Sequence, residues 1–327
     1  MITFLIGLLL ASVLVGCAGP EQAAGPHEGA PEPAAEHIKV AFVTNNASDF
    51  WQIAKAGTEK AREELGCEVA FRIPPTGTAQ EQQQIVQDLV TLGVAGIAIS
   101  PKDPENQTAM LNKAAESVKL ITQDSDAPNS DRLCYIGTDN YQAGVAAGEL
   151  LNKTLPNGGK IMLFVGTLDA QNAQDRKKGI EDTLADTNIE IVDTRTDETD
   201  RLKAKENAQN ALVTHPDLAC LVGLWSYNGP AILSGVRASG KLGQVKIVCF
   251  DEEDETLQGV KDGHISGTIV QQPFEFGYQS VKLLVALAEG DASQVPENKQ
   301  IIVPVKTITK ENVDAFWARL KEQTGKS

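Results

Sequence analysis

From residue 38 onward the chain alternates two textures, short runs rich in Val, Ile and Leu, and longer stretches where apolar residues recur every three or four positions. The first is the pattern of strands buried on both faces, and the second that of helices covering them. Strands are predicted over residues 39–44, 68–73, 95–100, 119–123, 133–137, 160–166, 190–194, 218–224, 245–251 and 267–271. Helical spacing separates them, as in Ile85, Val86, Leu89 and Val90, or in Ala143, Ala146, Ala147, Leu150 and Leu151. Strand and helix in alternation mark parallel sheets with crossover helices, so the fold class is α/β. Ten strands exceed the roughly five or six of an ordinary sheet. They divide into two similar βαβ series, so the expectation is two Rossmann-like, doubly wound parallel-sheet lobes.

The start of the chain follows neither pattern. Residues 1–16, MITFLIGLLLASVLVG, are apolar apart from Thr3 and Ser12 and are too few to span a bilayer comfortably. They read as a secretory apolar region, although no Lys or Arg precedes it. Leu14-Val15-Gly16-Cys17 resembles the lipobox of bacterial lipoproteins, in which the cysteine is acylated and becomes the new N-terminus. The expected product is a lipoprotein of the periplasm or cell-envelope surface, held to the membrane through Cys17. Residues 17–37 combine Pro, Ala, Gly and Glu without a bulky apolar residue, the composition of a disordered tether.

Charge narrows the choice of partners. Lys plus Arg total 29 against 44 Asp plus Glu, a formal net charge of -15, and a field of that sign repels a phosphate backbone. Nucleic acid is therefore excluded as an expected partner. Export places Cys67, Cys134, Cys220 and Cys249 in an oxidising compartment. None has C-x-x-C or zinc-finger spacing, so no metal site is expected. Cys220 and Cys249 fall in predicted strands of the same half and could pair, but separate buried thiols are the commoner outcome at apolar strand positions.

The residues that break the apolar pattern gather where strands end, and in open α/β sheets ligands bind outside the carboxyl ends of strands. The first strand is followed by Asn45-Asn46-Ala47-Ser48-Asp49-Phe50-Trp51, the third by Ser100-Pro101-Lys102-Asp103 and the fourth by Asp124-Ser125-Asp126. In the second half come Trp225-Ser226-Tyr227-Asn228, Asp251-Glu252-Glu253 and Gln271-Gln272-Pro273. Carboxylates and amides match adjacent hydroxyls, and aromatic faces pack on the C–H patch of a sugar ring. Such a set suits a neutral polyol. The chain has only nine Phe, four Tyr and three Trp, yet Trp51 and Trp225 both fall just past strand ends. Other readings stay open: Phe50 or Trp51 packing on the sheet, Asp124 and Asp251 as helix N-caps, and Arg176 as an exposed helix residue.

Taken in order, these motifs resemble the periplasmic sugar-binding proteins of the ribose and galactose type. The resemblance runs from residue 38 to about 305 and rests on Asn45-Asn46 with Phe50-Trp51, Ile121-Thr122-Gln123-Asp124, Gly137-Thr138-Asp139-Asn140-Tyr141-Gln142-Ala143-Gly144, His215-Pro216-Asp217, Val248-Cys249-Phe250-Asp251 and Thr268-Ile269-Val270-Gln271-Gln272-Pro273. It implies stacking by Phe50 and Trp51 and hydrogen bonds from Asp124, Asn140, Arg176, Asp251 and Gln271. Asn45 and Asn46 join them by position. Three positions depart from the ribose pattern: Ser125 stands for an Arg, Trp225 for an Asn and Ser100 for an Asn. The site thus loses a cation and gains a stacking face, which points away from ribose itself.

The resemblance further implies three crossings between lobes, near residues 138–140, 270–272 and 295–299. The first lobe is then 38–139 plus 272–297, and the second 140–271 plus 298–327. An apolar stripe of Phe274, Gly277, Tyr278, Val281, Leu284, Val285 and Ala288 is expected to return a helix to the first lobe. The implied activity is hinge closure on a sugar or polyol by a monomer that hands its cargo to an ABC permease and ATPase, with no cofactor. A receptor serving a membrane signalling or chemotaxis partner is the alternative. An enzyme has little support, since the sequence contains no H-E-x-x-H, G-x-S-x-G, G-x-x-x-x-G-K-[ST] or G-x-G-x-x-G motif. A sugar-responsive transcription regulator would need a basic helix-turn-helix in place of the export signal.

Overall fold

The computed structural model describes residues 37–325. The apolar run, Cys17 and the tether up to residue 36 lie outside the described residues. The first half runs β1 (Lys39–Val43), α1 (Asp49–Leu65), β2 (Glu68–Arg72), α2 (Ala79–Thr91), β3 (Gly96–Ile99), α3 (Pro104–Ala115), β4 (Lys119–Gln123), β5 (Tyr135–Gly137) and α4 (Asn140–Thr154). It continues with β6 (Gly159–Val165), α5 (Gln171–Leu184), β7 (Ile189–Thr196), α6 (Arg201–Thr214), β8 (Leu218–Gly223), α7 (Asn228–Ala238), β9 (Lys246–Phe250) and α8 (Asp254–Lys261). The chain closes with β10 (Gly267–Val270), α9 (Pro273–Ala288), β11 (Gln300–Ile302), β12 (Lys306–Ile308) and α10 (Val313–Thr324).

The strands form two six-stranded sheets, ordered β11-β5-β4-β3-β1-β2 and β12-β10-β9-β8-β6-β7. Every pairing is parallel except β10 with β12. The central strands are apolar throughout because helices cover both faces: Val40 and Phe42 pack on one side of the first sheet, Ala41 and Val43 on the other. The second sheet is sandwiched in the same way, with Ile161 and Leu163 on one face and Met162 and Phe164 on the other.

In each lobe the crossing helix meets the first helix of that lobe through a pair of glycines. A Cβ on Gly57 of α1 would lie 2.0 Å from the Phe274 carbonyl oxygen of α9, and one on Gly277 of α9 would lie 2.0 Å from that of Ala54. In the second lobe a Cβ on Gly144 of α4 would lie 2.2 Å from the Arg176 carbonyl oxygen of α5, and one on Gly179 would lie 2.2 Å from that of Tyr141. Backbone thus packs on backbone, which fixes the depth at which the starts of α1 and α5 reach the cleft.

Two expectations are corrected. β11 and β12 are not among the ten predicted strands, because Pro304 interrupts the short apolar run at 301–305 that joins them. The third crossing, expected near 295–299, falls at 303–305, because Gln300, Ile301 and Ile302 still pair with Tyr135, Ile136 and Gly137 of the first sheet while Lys306, Thr307 and Ile308 pair with β10 of the second. Residues 300–302 therefore belong with the first lobe. This last crossing is stitched to the one before it, since Gln272 Nε2 donates to the Pro304 carbonyl (2.7 Å) and Lys306 Nζ to Gln272 Oε1 (2.6 Å).

Candidate functional site

Both sheets aim their carboxyl ends at one cleft. There a cavity is lined by Asn45, Asn46, Ser48, Phe50, Trp51 and Asp124 from the first lobe and by Asn172, Arg176, Trp225, Ser226, Tyr227, Asp251 and Gln271 on the side of the second.

At the centre stands Arg176, only 1% exposed. Its Nε donates to Asn140 Oδ1 (3.0 Å), its Nη1 donates to the Leu224 carbonyl (2.6 Å), and its guanidinium lies 4.6 Å over the Phe250 ring. Nη2 alone has no protein acceptor. The reading of Arg176 as an exposed helix residue is thereby overturned.

Arg176 acts on two buried carboxylates, one per lobe. Asp124 Oδ2 accepts from Ser100 Oγ (2.7 Å) and Asn45 Nδ2 (3.2 Å), and Asp251 Oδ1 accepts from Gln271 Nε2 (2.8 Å). Burial pushes both carboxyls above their ordinary range, and the Arg176 charge pulls both back. Neither caps a helix. Each adopts a left-handed backbone at its strand end, φ 59° and 66°, and α8 is preceded by Glu253, which makes no side-chain cap bond.

The aromatic wall has two parts. Phe50 and Trp51 both line the cavity and both anchor in the first lobe, meeting edge to face with centroids 4.9 Å apart. Opposite them, Trp225 and Tyr227 are buried at 7% and 4% exposure. Several buried polar atoms on the wall lack a protein partner: Asn46 Oδ1, Asn172 Oδ1, Arg176 Nη2, Trp225 Nε1 and Gln271 Oε1. Their donors and acceptors are mixed, as the hydroxyls of a polyol would require.

Three of the expected contact residues stand off the wall. Ser100 sits behind Asp124, Asn140 sits behind Arg176, and Ser125 is fully buried with a hydroxyl that has no partner. The left-handed turn at Asp124 sends the next side chain into the lobe. Conversely, Ser48, Ser226 and Tyr227, which lie in the strand-end segments but were not named as contacts, line the cavity, as does Asn172, four residues before Arg176. The four cysteines of the described residues, Cys67, Cys134, Cys220 and Cys249, are free and buried. No group of three or more His, Cys, Asp or Glu able to hold a metal occurs among the described residues.

A second electrostatic interaction crosses between the lobes. Lys102 follows β3 in the first lobe, and burial lowers its pKa against the opposing pull of Glu198, Asp197 and Asp169 from the second lobe.

The model of the family described as periplasmic binding protein domain matches residues 40–292. The chain belongs to the periplasmic binding proteins. Among periplasmic binding proteins of known role, the ribose import binding protein of Salmonella typhimurium is 28% identical over 250 residues, 75% of this chain and 82% of that protein. The D-ribose/D-allose-binding protein of Pseudomonas aeruginosa is 26% identical over 321 residues, 92% and 97% of the two chains. Among solved structures, an ABC-transporter solute-binding protein from Burkholderia graminis in complex with D-arabinose is 34% identical with a TM-score of 0.80, covering 84% of this chain and 96% of that one.

Proposed function

We propose that this protein is a receptor that captures a neutral sugar or similar polyol of monosaccharide size between its lobes and delivers it to an ABC importer by hinge closure. The observation that carries this reading is one cavity lined from both lobes by Phe50 and Trp51, Trp225 and Tyr227, the buried carboxylates Asp124 and Asp251 and the Arg176 guanidinium. A ligand touching both lobes favours the closed form by the contacts it makes only there. Two carboxylates against one cation disfavour a phosphorylated or acidic sugar. The ligands named for the relatives, ribose, allose and D-arabinose, support the class. Lipid attachment at Cys17 is the tether in this reading, and a mature protein whose mass lacks the lipid would contradict it.

The test is a thermal-shift panel of pentoses, hexoses, deoxy sugars, polyols, nucleosides and sugar phosphates. A ligand at 100 times its dissociation constant should add about 2.7 kcal/mol of stability. One or a few neutral sugars should shift the transition while sugar phosphates do not, and low-angle scattering should show compaction with the hit. Silence across all neutral sugars, or an unchanged scattering curve, would count against the proposal.

A further inference from the structure

We infer that Asp197 is a positioning residue for ligand capture: without lining the cavity, it locks the Trp225–Asn228 wall in the shape that receives the ring. This rests on the receptor reading above, and nothing in the sequence patterns pointed to it.

Asp197 directly follows β7 and is 0% exposed. A buried carboxylate is costly unless hydrogen bonds replace its water, and here the second lobe supplies three. The Tyr227 hydroxyl and the Thr199 N–H (3.0 Å) donate to Oδ1, and Asn228 Nδ2 donates to Oδ2 (3.0 Å). Asn228 passes the constraint on, since its Oδ1 accepts the Trp225 N–H (3.0 Å). The opposite side is closed by Gly166, where a Cβ would fall 2.1 Å from the Trp225 ring and 2.8 Å from the Tyr227 hydroxyl. Both aromatics of the second lobe's wall are therefore held between one carboxylate and one glycine. Tyr227 donates its hydroxyl proton to Asp197, so toward the cavity it offers its ring and no hydrogen-bond donor.

The backbone beside Asp197 is bent to serve the same end. Glu198 and Thr199 both take positive φ, 56° and 65°, which is uncommon for any side chain and an outlier for a β-branched one. Strain of this kind persists only where surrounding contacts enforce it. Here the turn brings the Thr199 N–H onto the carboxylate. The charged or titratable groups that face Asp197 are Tyr227 at the start of α7, Lys203 on α6 and Lys102 from the first lobe. Burial raises the Asp197 carboxyl from 3.8 to about 6. Protonation removes the charge and turns one acceptor into a donor, so the hydrogen bonds of the lock must rearrange.

Two measurements test this. The three tryptophans give three indole N–H resonances, assigned by single Trp→Phe variants and followed from pH 7.5 to pH 5. The Trp225 signal should show a step with a midpoint near 6 in the wild type that is missing in Asp197→Asn, where only the response to Asp251, which lines the same cavity and is raised to about 7, remains. A wild-type signal that lacks this step, or an equal step in Asp197→Asn, overturns the inference. The second measurement is affinity for the sugar that the panel identifies. Asp197→Asn and Tyr227→Phe should each weaken it about tenfold, the scale of one lost buried hydrogen bond, and the double variant should be no weaker than the weaker-binding single. Tyr227→Phe removes one oxygen and keeps the ring, so it serves if Asp197→Asn fails to fold. Wild-type affinity in Tyr227→Phe would overturn the inference. A panel with no sugar hit defeats the receptor reading, while the indole titration still decides whether Asp197 holds Trp225.

Discussion

Asp124 and Asp251 occupy matching places, each following the strand third from one edge of its sheet, and each with positive φ. Only Gly, and to a lesser degree Asn and Asp, enters that region readily, so these positions restrict the backbone as well as the ligand. A substitution to Ala therefore mixes strain with lost hydrogen bonding, and Asn separates them. Asp251→Asn should keep the fold and weaken sugar binding by about 1.5 to 3 kcal/mol, the range for a hydrogen bond to a charged group. Asp251→Ala should lose more, about 2 to 5 kcal/mol, and should also lower the melting temperature of the ligand-free protein. Calorimetric titration checks both, and an Asn variant with wild-type affinity would remove Asp251 from the site. At this scale the sequence showed which residues end strands but not where their side chains point. Hence Ser100 and Asn140 prove to be supports for Asp124 and Arg176, and Ser125 faces the lobe interior. Asp197 was illegible because its strand ends in Asp193-Thr194-Arg195-Thr196, a half-buried edge segment with none of the apolar contrast that exposed the other strand ends.

The helices are positioned by what they lack. Ser48 and Tyr227 stand at the N-cap positions of α1 and α7 without making a side-chain cap bond, and both line the cavity. By contrast, Thr78 completes a capping box on α2, and Asp103, Asp139 and Asp200 cap α3, α4 and α6. The glycine pairs set the reach of α1 and α5. Gly144→Ala should cost about 1 to 3 kcal/mol through overpacking. It should also weaken sugar binding, since the added methyl meets the backbone of Arg176. Denaturant unfolding and titration of one sample measure both, and unaltered affinity in a destabilised variant would uncouple helix packing from the site. The strands were readable because burial on both faces makes each a continuous apolar run. β11 and β12 were not, because Pro304 and the third crossing interrupt the apolar run that would have marked them.

At the scale of the whole molecule, the cleft stores titratable groups in unfavourable surroundings. Asp124, Asp197, Asp251, Glu252 and Glu253 all have carboxyls raised by burial. The folded state therefore holds protons that the unfolded chain releases near pH 4, and by linkage its stability falls as pH rises. For Asp197 the window is from about 4 up to about 6. Glu64, Asp182, Asp217 and Glu311 have lowered pKa and act in the opposite sense, but they are open to solvent and screened. The ligand-free melting temperature should fall by several degrees from pH 5 to pH 7.5, more steeply in the wild type than in Asp197→Asn. A rise would show that surface pairs dominate. The four cysteines of the described residues point to a practical use. All four are buried, and burial raises each thiol, Cys249 to about 12, so maleimides should pass them by. With Cys17 replaced, one cysteine introduced at Thr76 or Glu198, which line one pocket from the two lobes, would take a dye alone, and the fluorescence of that single label would turn the receptor into an optical gauge of its own cargo.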